Sequence, residues 1–500
     1  MLLRKLLEGL YPLEIIGEVD IDIGNIVYDS RKAIKNSLFV CIDGTTVDGH
    51  SFIPEAVENG ARALLIQKEA SVPDGITAIR IDDTRYGLAH VSSVFFNKPS
   101  ENFKLVGITG TKGKTTTSFM LKNILETAGQ KVGLVGTIHN MIGNQVVYGG
   151  PITTPESYDL QALFSEMYEK KVDSVVMEVS SQGLQLHRVS CSNFNIGVFT
   201  NLYKDHISPK EHRDMDDYLN AKVKLFKMCR DGLVNADSPY AGKVLSEAEC
   251  RIYTFGIENN CDIRAYDIIK HPHSVEFKVA SRWINGDMKV NIPGRFTVYN
   301  ALVAIGVCGI MEIPCKYVKE GLEKVSVPGR AEIVTTNENF AVIVDYAHTA
   351  DSLENILNAV KEFTAGRVVC VFGCGGNRDR VRRFGMGEVS GKIADFTIIT
   401  SDNPRSEDPL AIINDIETGI MKTDAKYIKI IDRREAIKYA IKNAKPDDVV
   451  VIAGKGHETY QIFKDKTIHF DDKEVAGEIL EEIAAEKCSG GRNNADNEMQ

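Results

Sequence analysis

Thr109-Gly-Thr-Lys-Gly-Lys-Thr-Thr116 is the stretch of this chain whose residue types and spacing specify chemistry most directly. Gly110 and Gly113 let backbone N–H groups approach phosphate oxygens, Lys114 reaches terminal phosphates, and the Thr115 hydroxyl suits Mg2+. The strict eight-residue phosphate-loop pattern is not met, because its first glycine falls on Ile108; the match is the looser G-x-x-G-K-T. ATP or GTP hydrolysis is the sharp reading, and a glycine-rich turn that merely caps a helix is the competing one. Asp173-Ser-Val-Val-Met-Glu-Val-Ser-Ser181 ends an apolar run with Glu178, placed to hold Mg2+, although a solvated strand end explains this segment equally. Phe199-Thr-Asn-Leu-Tyr-Lys-Asp-His206 repeats the arrangement, and a lone histidine such as His206 is more often a loop residue than a ligand. Lys222 follows on a helical stretch where spacing alone does not distinguish it from Lys224 and Lys227.

These groups need a strand, a turn and a helix to position them. Residues 104–109 read as a buried strand; Phe119, Met120, Ile124 and Leu125 fall at helical spacing before Gly129, and residues 131–135 complete a βαβ unit. Residues 1–98 alternate short β-rich runs (38–42, 63–67, 76–81) with a helix at 53–59, and end at the polar joint Asn97-Lys98-Pro99-Ser100. Residues 99–329 add apolar runs at 174–179 and 196–200 and helical stretches at 218–228 and 299–310. They are expected to form a central, mostly parallel nucleotide-binding domain with an antiparallel insertion near 251–290. Residues 330–488 alternate strands (341–344, 368–372, 396–400, 427–431, 449–453) with helices (352–363, 434–443) in a Rossmann-like, doubly wound pattern. The polar, Gly-rich tail 489–500 is expected to be disordered. The expected fold class is α/β in three domains, with a central P-loop-type sheet and a C-terminal Rossmann-like sheet.

Composition limits the function classes. The chain has 500 residues, 43% hydrophobic and 26% charged, which is globular and too large for a minimal binding module. Its net charge of -10 argues against a general nucleic-acid binder, so any phosphate must be held locally. No window reaches the length of an apolar membrane span, and Arg4, Lys5 and Glu8 break the N-terminal apolar stretch too early for a signal peptide. Ten cysteines are scattered without a CxxC pair, several within apolar runs, as expected of reduced core thiols in a cytoplasm.

Taken together, the strings resemble the Mur ligases, which build the cytoplasmic peptide of the bacterial cell wall. The likeness runs from Asp29-Ser-Arg31 through the 109–116 loop, Thr153-Thr-Pro155, Met177-Glu-Val-Ser-Ser181, Thr200-Asn-Leu202 and Asp205-His206. It continues through Ile292-Pro-Gly-Arg-Phe296, Pro328-Gly-Arg-Ala-Glu332, Asp345-Tyr-Ala-His348, Phe372-Gly-Cys-Gly-Gly376, Asp402-Asn-Pro-Arg405 and Gly454-Lys-Gly-His-Glu458. It thus covers all three expected domains.

The resemblance implies an ATP-dependent amide ligase working through an acyl phosphate, with Mg2+ as cofactor and a UDP-sugar dipeptide, ATP and an amino acid as substrates; a monomer is expected, with neither nucleic acid nor membrane as partner. By the resemblance Gly110, Thr111, Lys112, Gly113, Lys114, Thr115 and Thr116 bind ATP, joined by Asn300, Arg330 and Asp345. Thr115 and Glu178 match a first Mg2+ site and His206 a second, while Lys222 matches a lysine carbamoylated by CO2 into a carboxylate-like anion; Lys114, Glu178, His206 and Lys222 form the catalytic set. Ser30, Thr153, Thr154, Ser180 and Arg188 match contacts to the UDP-sugar peptide. Arg378, Asp402, Asn403, Pro404, Arg405, Gly454 and Glu458 match the amino-acid site. Arg405 and Arg378 resemble the type that adds meso-diaminopimelate, because a guanidinium can fork onto a distal carboxylate that lysine lacks. Departures from the family are Gln182, Leu186, Asn377, Ala350 and a longer loop between His206 and Tyr218. Two alternatives stand beside this reading: the same chemistry with L-lysine or another amine acceptor, and a non-catalytic nucleotide-binding partner that has kept the fold.

Overall fold

The computed structural model describes residues 1–44, 47–148, 152–205, 207–208, 211–271, 274–334 and 338–495, with side chains described as far as residue 486. The chain divides into two compact units. One comprises Met1–Ala265, Val279–Asn285 and Tyr299–Gly321, and the other Tyr266–Lys278, Gly286–Val298 and Leu322–Gln500.

The first unit begins with α1 (Leu3–Leu6), β1 (Glu14–Ile16), β2 (Asn25–Val27), β3 (Ser37–Val40), α2 (Ile53–Glu58), β4 (Ala61–Ile66), β5 (Thr77–Arg80) and α3 (Thr84–Phe95). Its sheet has the order β1-β5-β4-β3-β2 and is parallel except for β1. The period of two along each strand splits the core: Leu38, Val40 and Leu65 face α1 and α3, while Phe39, Leu64 and Ile66 face α2.

A larger sheet follows, built from β6 (Lys104–Thr109), α4 (Lys114–Thr127), β7 (Val132–Val135), β8 (Asn140–Ile142), β9 (Gln145–Tyr148), α5 (Ser157–Glu169), β10 (Ser174–Glu178), α6 (Ser181–Gln185), β11 (Phe194–Phe199), α7 (Met215–Val223), β12 (Cys229–Asn235), α8 (Ala241–Glu247), β13 (Arg251–Gly256) and β14 (Ile263–Lys270). Within the first unit, which β14 enters only through Ile263–Ala265, the order is β14-β13-β12-β11-β6-β10-β7-β8-β9. It is parallel from β14 to β7, and only β8 and β9 run antiparallel. The expected antiparallel insertion beginning near Arg251 is corrected here, because β13 runs parallel to β12, Asp231 facing Arg251. The cause is α8, a short crossover helix that brings the chain back to the same end of the sheet.

Next come β15 (Val275–Ser281), β16 (Gly286–Val290), α9 (Arg295–Ile310) and α10 (Cys315–Lys324). The second unit then carries β17 (Glu332–Val334), β18 (Ala341–Asp345), α11 (Ala350–Lys361), β19 (Val368–Phe372), α12 (Arg380–Ile393), β20 (Phe396–Ile399), α13 (Pro409–Ile420), β21 (Tyr427–Lys429), α14 (Arg433–Lys442), β22 (Val449–Ala453), β23 (Tyr460–Ile462), β24 (Thr467–His469) and α15 (Asp472–Ala495). Its six-stranded sheet has the order β17-β18-β22-β19-β20-β21 and is parallel except for β17. The central strands β19 and β22 are buried at every position, as helices on both faces require. The chain segment from 489, expected to be disordered, overlaps the end of α15, and residues 496–500 lie outside the described residues.

Candidate active site

The first cluster stands at the carboxyl ends of β6, β7, β10 and β11, where an open α/β sheet gathers ligands. The loop leaving β6 turns at Gly110 and enters α4 at Gly113, both with φ in the left-handed region, +148° and +87°. A Cβ at Gly110 would stand 2.0 Å from Thr200 Oγ1, and one at Gly113 would stand 2.5 Å from Asn300 Oδ1, so neither position admits a side chain. The loop is pinned from β11's end: Thr200 Oγ1 donates to the Lys112 carbonyl at 2.8 Å, and Asn201 Oδ1 accepts from the Lys112 amide at 2.8 Å. Thr111 Oγ1 lies 3.1 Å from the Tyr218 hydroxyl, and Thr117 Oγ1 donates to Asn300 Oδ1 at 3.3 Å, which brings α9 to the loop. Thr116 is buried in the first turn of α4.

Lys114 Nζ donates to the carbonyls of Gly110 and Thr111, at 2.9 and 3.1 Å. Lys222, fully buried on α7, donates from Nζ to the same Gly110 carbonyl at 3.1 Å, and lies 4.4 Å from the centroid of the Tyr218 ring. Burial drives the Lys222 amine well below its ordinary pKa, and the Lys114 ammonium pushes the same way against Asp205. The shift favours the neutral amine more than in an exposed lysine, and the neutral form of an amine is its nucleophilic form. Glu178, also buried, accepts from Thr115 Oγ1, Thr137 Oγ1 and the Thr137 amide, each at 3.0 Å. Burial likewise raises the Tyr218 phenol.

The remaining residues of this unit extend from Glu178. Thr153 Oγ1 is 3.0 Å from Thr137 Oγ1, Thr154 Oγ1 donates to the Glu178 carbonyl at 3.0 Å, and the Ser180 amide donates to Thr154 Oγ1 at 3.0 Å. Arg188 donates to the Thr154 carbonyl at 3.3 Å and pairs with Glu156, which also holds Arg85 of α3. Ser30 is buried against the first sheet, its hydroxyl 2.5 Å from Glu55 Oε2. Gln182 reaches Glu211 at 3.5 Å, and Leu186 closes α6. His206 lies outside the described residues. Among the described residues no group of three His, Cys, Asp or Glu side chains could hold a metal; the expected set draws instead on the Thr115 hydroxyl, the Glu178 carboxylate and Lys222, together with His206 outside the described residues.

The second unit gathers its own cluster at the carboxyl ends of β18, β19, β20 and β22. Asp345 accepts from the amides of Ala331 and Ala347, at 2.7 and 2.8 Å, and the Arg330 guanidinium lies 4.7 Å from the Tyr346 ring centroid. Asp402 Oδ1 accepts from the Asn403 amide at 2.6 Å, and Asn403 Nδ2 donates to Glu458 Oε2 at 2.8 Å. A Cβ at Gly454, φ +115°, would stand 2.9 Å from Asp402 Oδ2. Arg405 Nη1 donates to the Gly376 carbonyl at 2.8 Å, and its tip and the Arg378 stem converge on Gly375, 2.8 and 3.7 Å from where a Cβ would sit. Pro404 is buried beneath Gly376. Burial and the neighbouring Asp402 raise the Glu458 carboxyl pKa against the pull of Lys455.

Three participants escape a reading of the chain alone. Thr137 stands just past β7, where the strand-end rule would have found it. Lys455, fully buried, donates to Glu458, Asn403 and the Tyr460 carbonyl. His212, also fully buried, lies 2.8 Å from Ser181 Oγ with its ring tilted 37° against that of Tyr218, a contact between segments that no local pattern signals.

Known proteins bear on this geometry. Residues 22–101 match the Mur ligase family catalytic domain, 108–308 the Mur ligase middle domain, and 329–456 the Mur ligase glutamate ligase domain. A relative from Clostridium botulinum, named UDP-N-acetylmuramoyl-L-alanyl-D-glutamate–2,6-diaminopimelate ligase, is 49% identical over 468 residues, covering 92% of this chain and 96% of its own. One of the same name from Caldanaerobacter subterraneus is 48% identical, covering 96% of this chain and 99% of its own. A solved structure of a ligase of that name superposes with a TM-score of 0.72 at 27% identity, covering 97% of this chain and 99% of that one. With Mur ligase domains matched along most of its length and relatives near one half identical over more than nine-tenths of it, this chain belongs to the Mur ligase family.

Proposed function

We propose that this chain is an ATP-dependent amide ligase that joins meso-diaminopimelate to the D-glutamyl carboxylate of UDP-N-acetylmuramoyl-L-alanyl-D-glutamate in peptidoglycan precursor synthesis. The observation that carries the reading is full-length identity near one half to relatives named for that reaction. A carboxylate is a poor electrophile, so its oxygen first attacks the γ-phosphorus of ATP and ADP leaves. The amino acid's amine then attacks the acyl carbon, a C–N bond forms, the C–O bond to phosphate breaks, and the amine loses a proton. Lys114 neutralises phosphate charge and Gly110 to Thr116 present backbone amides; Asn300, Arg330 and Asp345 are assigned to nucleotide binding on the family resemblance.

Mg2+ fits the donors at the loop: Thr115 and Glu178 offer hard oxygens 3.0 Å apart beside the phosphate-binding turn. When bound it would supply charge neutralisation between phosphate oxygens. A carbamate on the Lys222 amine would add a second anionic group, and His206 is assigned to a second metal site on the family resemblance alone. Thr153, Thr154, Ser180, Arg188 and Ser30 are assigned to the UDP-sugar peptide. Arg405, Arg378, Asp402, Asn403, Pro404, Gly454 and Glu458 are assigned to the amino acid, the arginines toward its distal carboxylate. The domains are assigned as 1–98, 99–329 and 330–488 with a tail at 489–500, and the protein is assigned as a cytoplasmic monomer. Among the described residues no helix is long and apolar enough to cross a membrane.

Phosphate release from purified protein supplied with UDP-sugar dipeptide, ATP and Mg2+ should depend on meso-diaminopimelate. Equal turnover with L-lysine would overturn the amino-acid assignment.

A further inference from the structure

Arg383, in the first turn of α12, plays no part in the assignments above, yet its side chain is only 1% exposed and both terminal nitrogens of its guanidinium are engaged. Its Nη1 donates to Asp415 Oδ2 of α13 at 2.9 Å, and its Nη2 donates to Glu407 Oε1 at 2.8 Å and to the Gly375 carbonyl at 3.4 Å. Gly375 belongs to the turn after β19, and Glu407 to the turn after β20 that begins Asp402-Asn-Pro-Arg405. One buried cation thus ties together the two loops that carry Arg378 and Arg405.

The loops are also sewn to each other. Glu407 Oε1 accepts from the Asn377 amide, the Ser406 hydroxyl donates to Asn377 Oδ1 at 2.8 Å, and the Gly376 amide donates to the Asn403 carbonyl at 2.9 Å. Asn377 and Arg405 both hold positive φ, +56° and +53°. Asparagine tolerates that region; arginine does so only where its surroundings over-determine it. The Arg405 backbone is held by its amide's bond to the Ile462 carbonyl at 3.0 Å, and its guanidinium by the Gly376 carbonyl.

We propose that Arg383 and Glu407 form a positioning clamp for the amino-acid site, fixing the 375–377 turn against the 403–407 turn so that Arg405 and Arg378 present their guanidinium groups to the distal carboxylate of the incoming amino acid. This rests on the amino-acid assignment made above. Neither clamp residue touches substrate. Glu407 is the shared acceptor, and Arg383 anchors it to α13. A bidentate fork needs both arginines set to within a fraction of an ångström, so slack between the turns weakens amino-acid binding while leaving the phosphate loop of the other unit as it was.

The test uses the full chain as Arg383→Lys, Glu407→Ala and Glu407→Gln, with KM measured separately for the amino acid, ATP and the UDP-sugar dipeptide, alongside melting temperature. Arg383→Lys and Glu407→Ala are expected to raise the amino-acid KM about tenfold and lower the meso-diaminopimelate over L-lysine preference, with the other KM values within about twofold. Glu407→Gln keeps the acceptor oxygen and is expected to restore most of the amino-acid KM. Glu407 is at the surface, so Glu407→Ala decides the matter if Arg383→Lys does not fold. An unchanged amino-acid KM in Glu407→Ala, or all three KM values rising together with a fall in melting temperature, would overturn the clamp. Wild-type turnover of L-lysine but not of the diamino diacid would instead overturn the amino-acid assignment, and the clamp would still be read on the KM for lysine.

Discussion

At the scale of single residues, burial converts ordinary side chains into specific ones. Burial lowers the Lys222 pKa first, and the Lys114 ammonium that shares its Gly110 carbonyl lowers it further, so Lys222 holds its proton less firmly than an exposed lysine does. Lys222→Ala is expected to lower kcat by about a hundredfold or more, since a positioned charge at a phosphoryl-transfer site is worth several kcal/mol. A short carboxylic acid added to the assay should restore part of it; unchanged turnover would show Lys222 to be inert. Thr137→Val removes one hydroxyl bond to Glu178 and keeps the backbone one, so a loss of about tenfold in kcat/KM is expected, the size of one hydrogen bond to a charged group. Glu458 carries a raised pKa, so its carboxylate is lost earlier than an ordinary glutamate's as pH falls. The amino-acid KM should accordingly rise on the acid side, and Glu458→Gln should flatten that rise. Of these three residues, Lys222 and Glu458 stood out only through the family resemblance, and Thr137 not at all. Exposure and charge neighbours are set by distant chain segments.

At the scale of elements, strand ends place the chemistry and helices hold the strand ends. The Arg433 guanidinium, wholly buried at the start of α14, pairs with Asp472 at the start of α15 at 2.7 Å and donates to the Ser401 and Ala453 carbonyls at the ends of β20 and β22. Arg433→Met would leave Asp472 buried and unpaired, at a cost of about 3–5 kcal/mol. Calorimetry should show the transition of the C-terminal unit falling by several degrees, with amino-acid turnover lost first. The alternation of strands and helices beyond residue 330 was legible because buried parallel strands are continuous apolar runs bounded by polar turns. Less legible were β1, whose three residues are all exposed, and α8, only one or two turns long, which made β13 parallel rather than antiparallel.

At the scale of the whole molecule, a chain with net charge -10 handles anionic substrates, so its positive charge must act locally. Long-range repulsion slows the encounter of like charges and salt screens it; kcat/KM for the UDP-sugar dipeptide should therefore hold or rise between about 0.01 and 0.1 M salt. A steep fall, measured by initial rates at constant Mg2+, would mean that a positive field steers the substrate. The sequence by itself determined the fold class, the phosphate loop and, through ordered motifs, the family, because apolar periodicity and short glycine-bearing strings are local properties of a chain. Only the tertiary structure decided that Lys222 meets Lys114 at one carbonyl, that Thr137 holds Glu178, and that Arg383 reaches Glu407. Each of these contacts joins residues of segments that follow different strands, and their separation in space is fixed by strand order rather than by spacing along the chain.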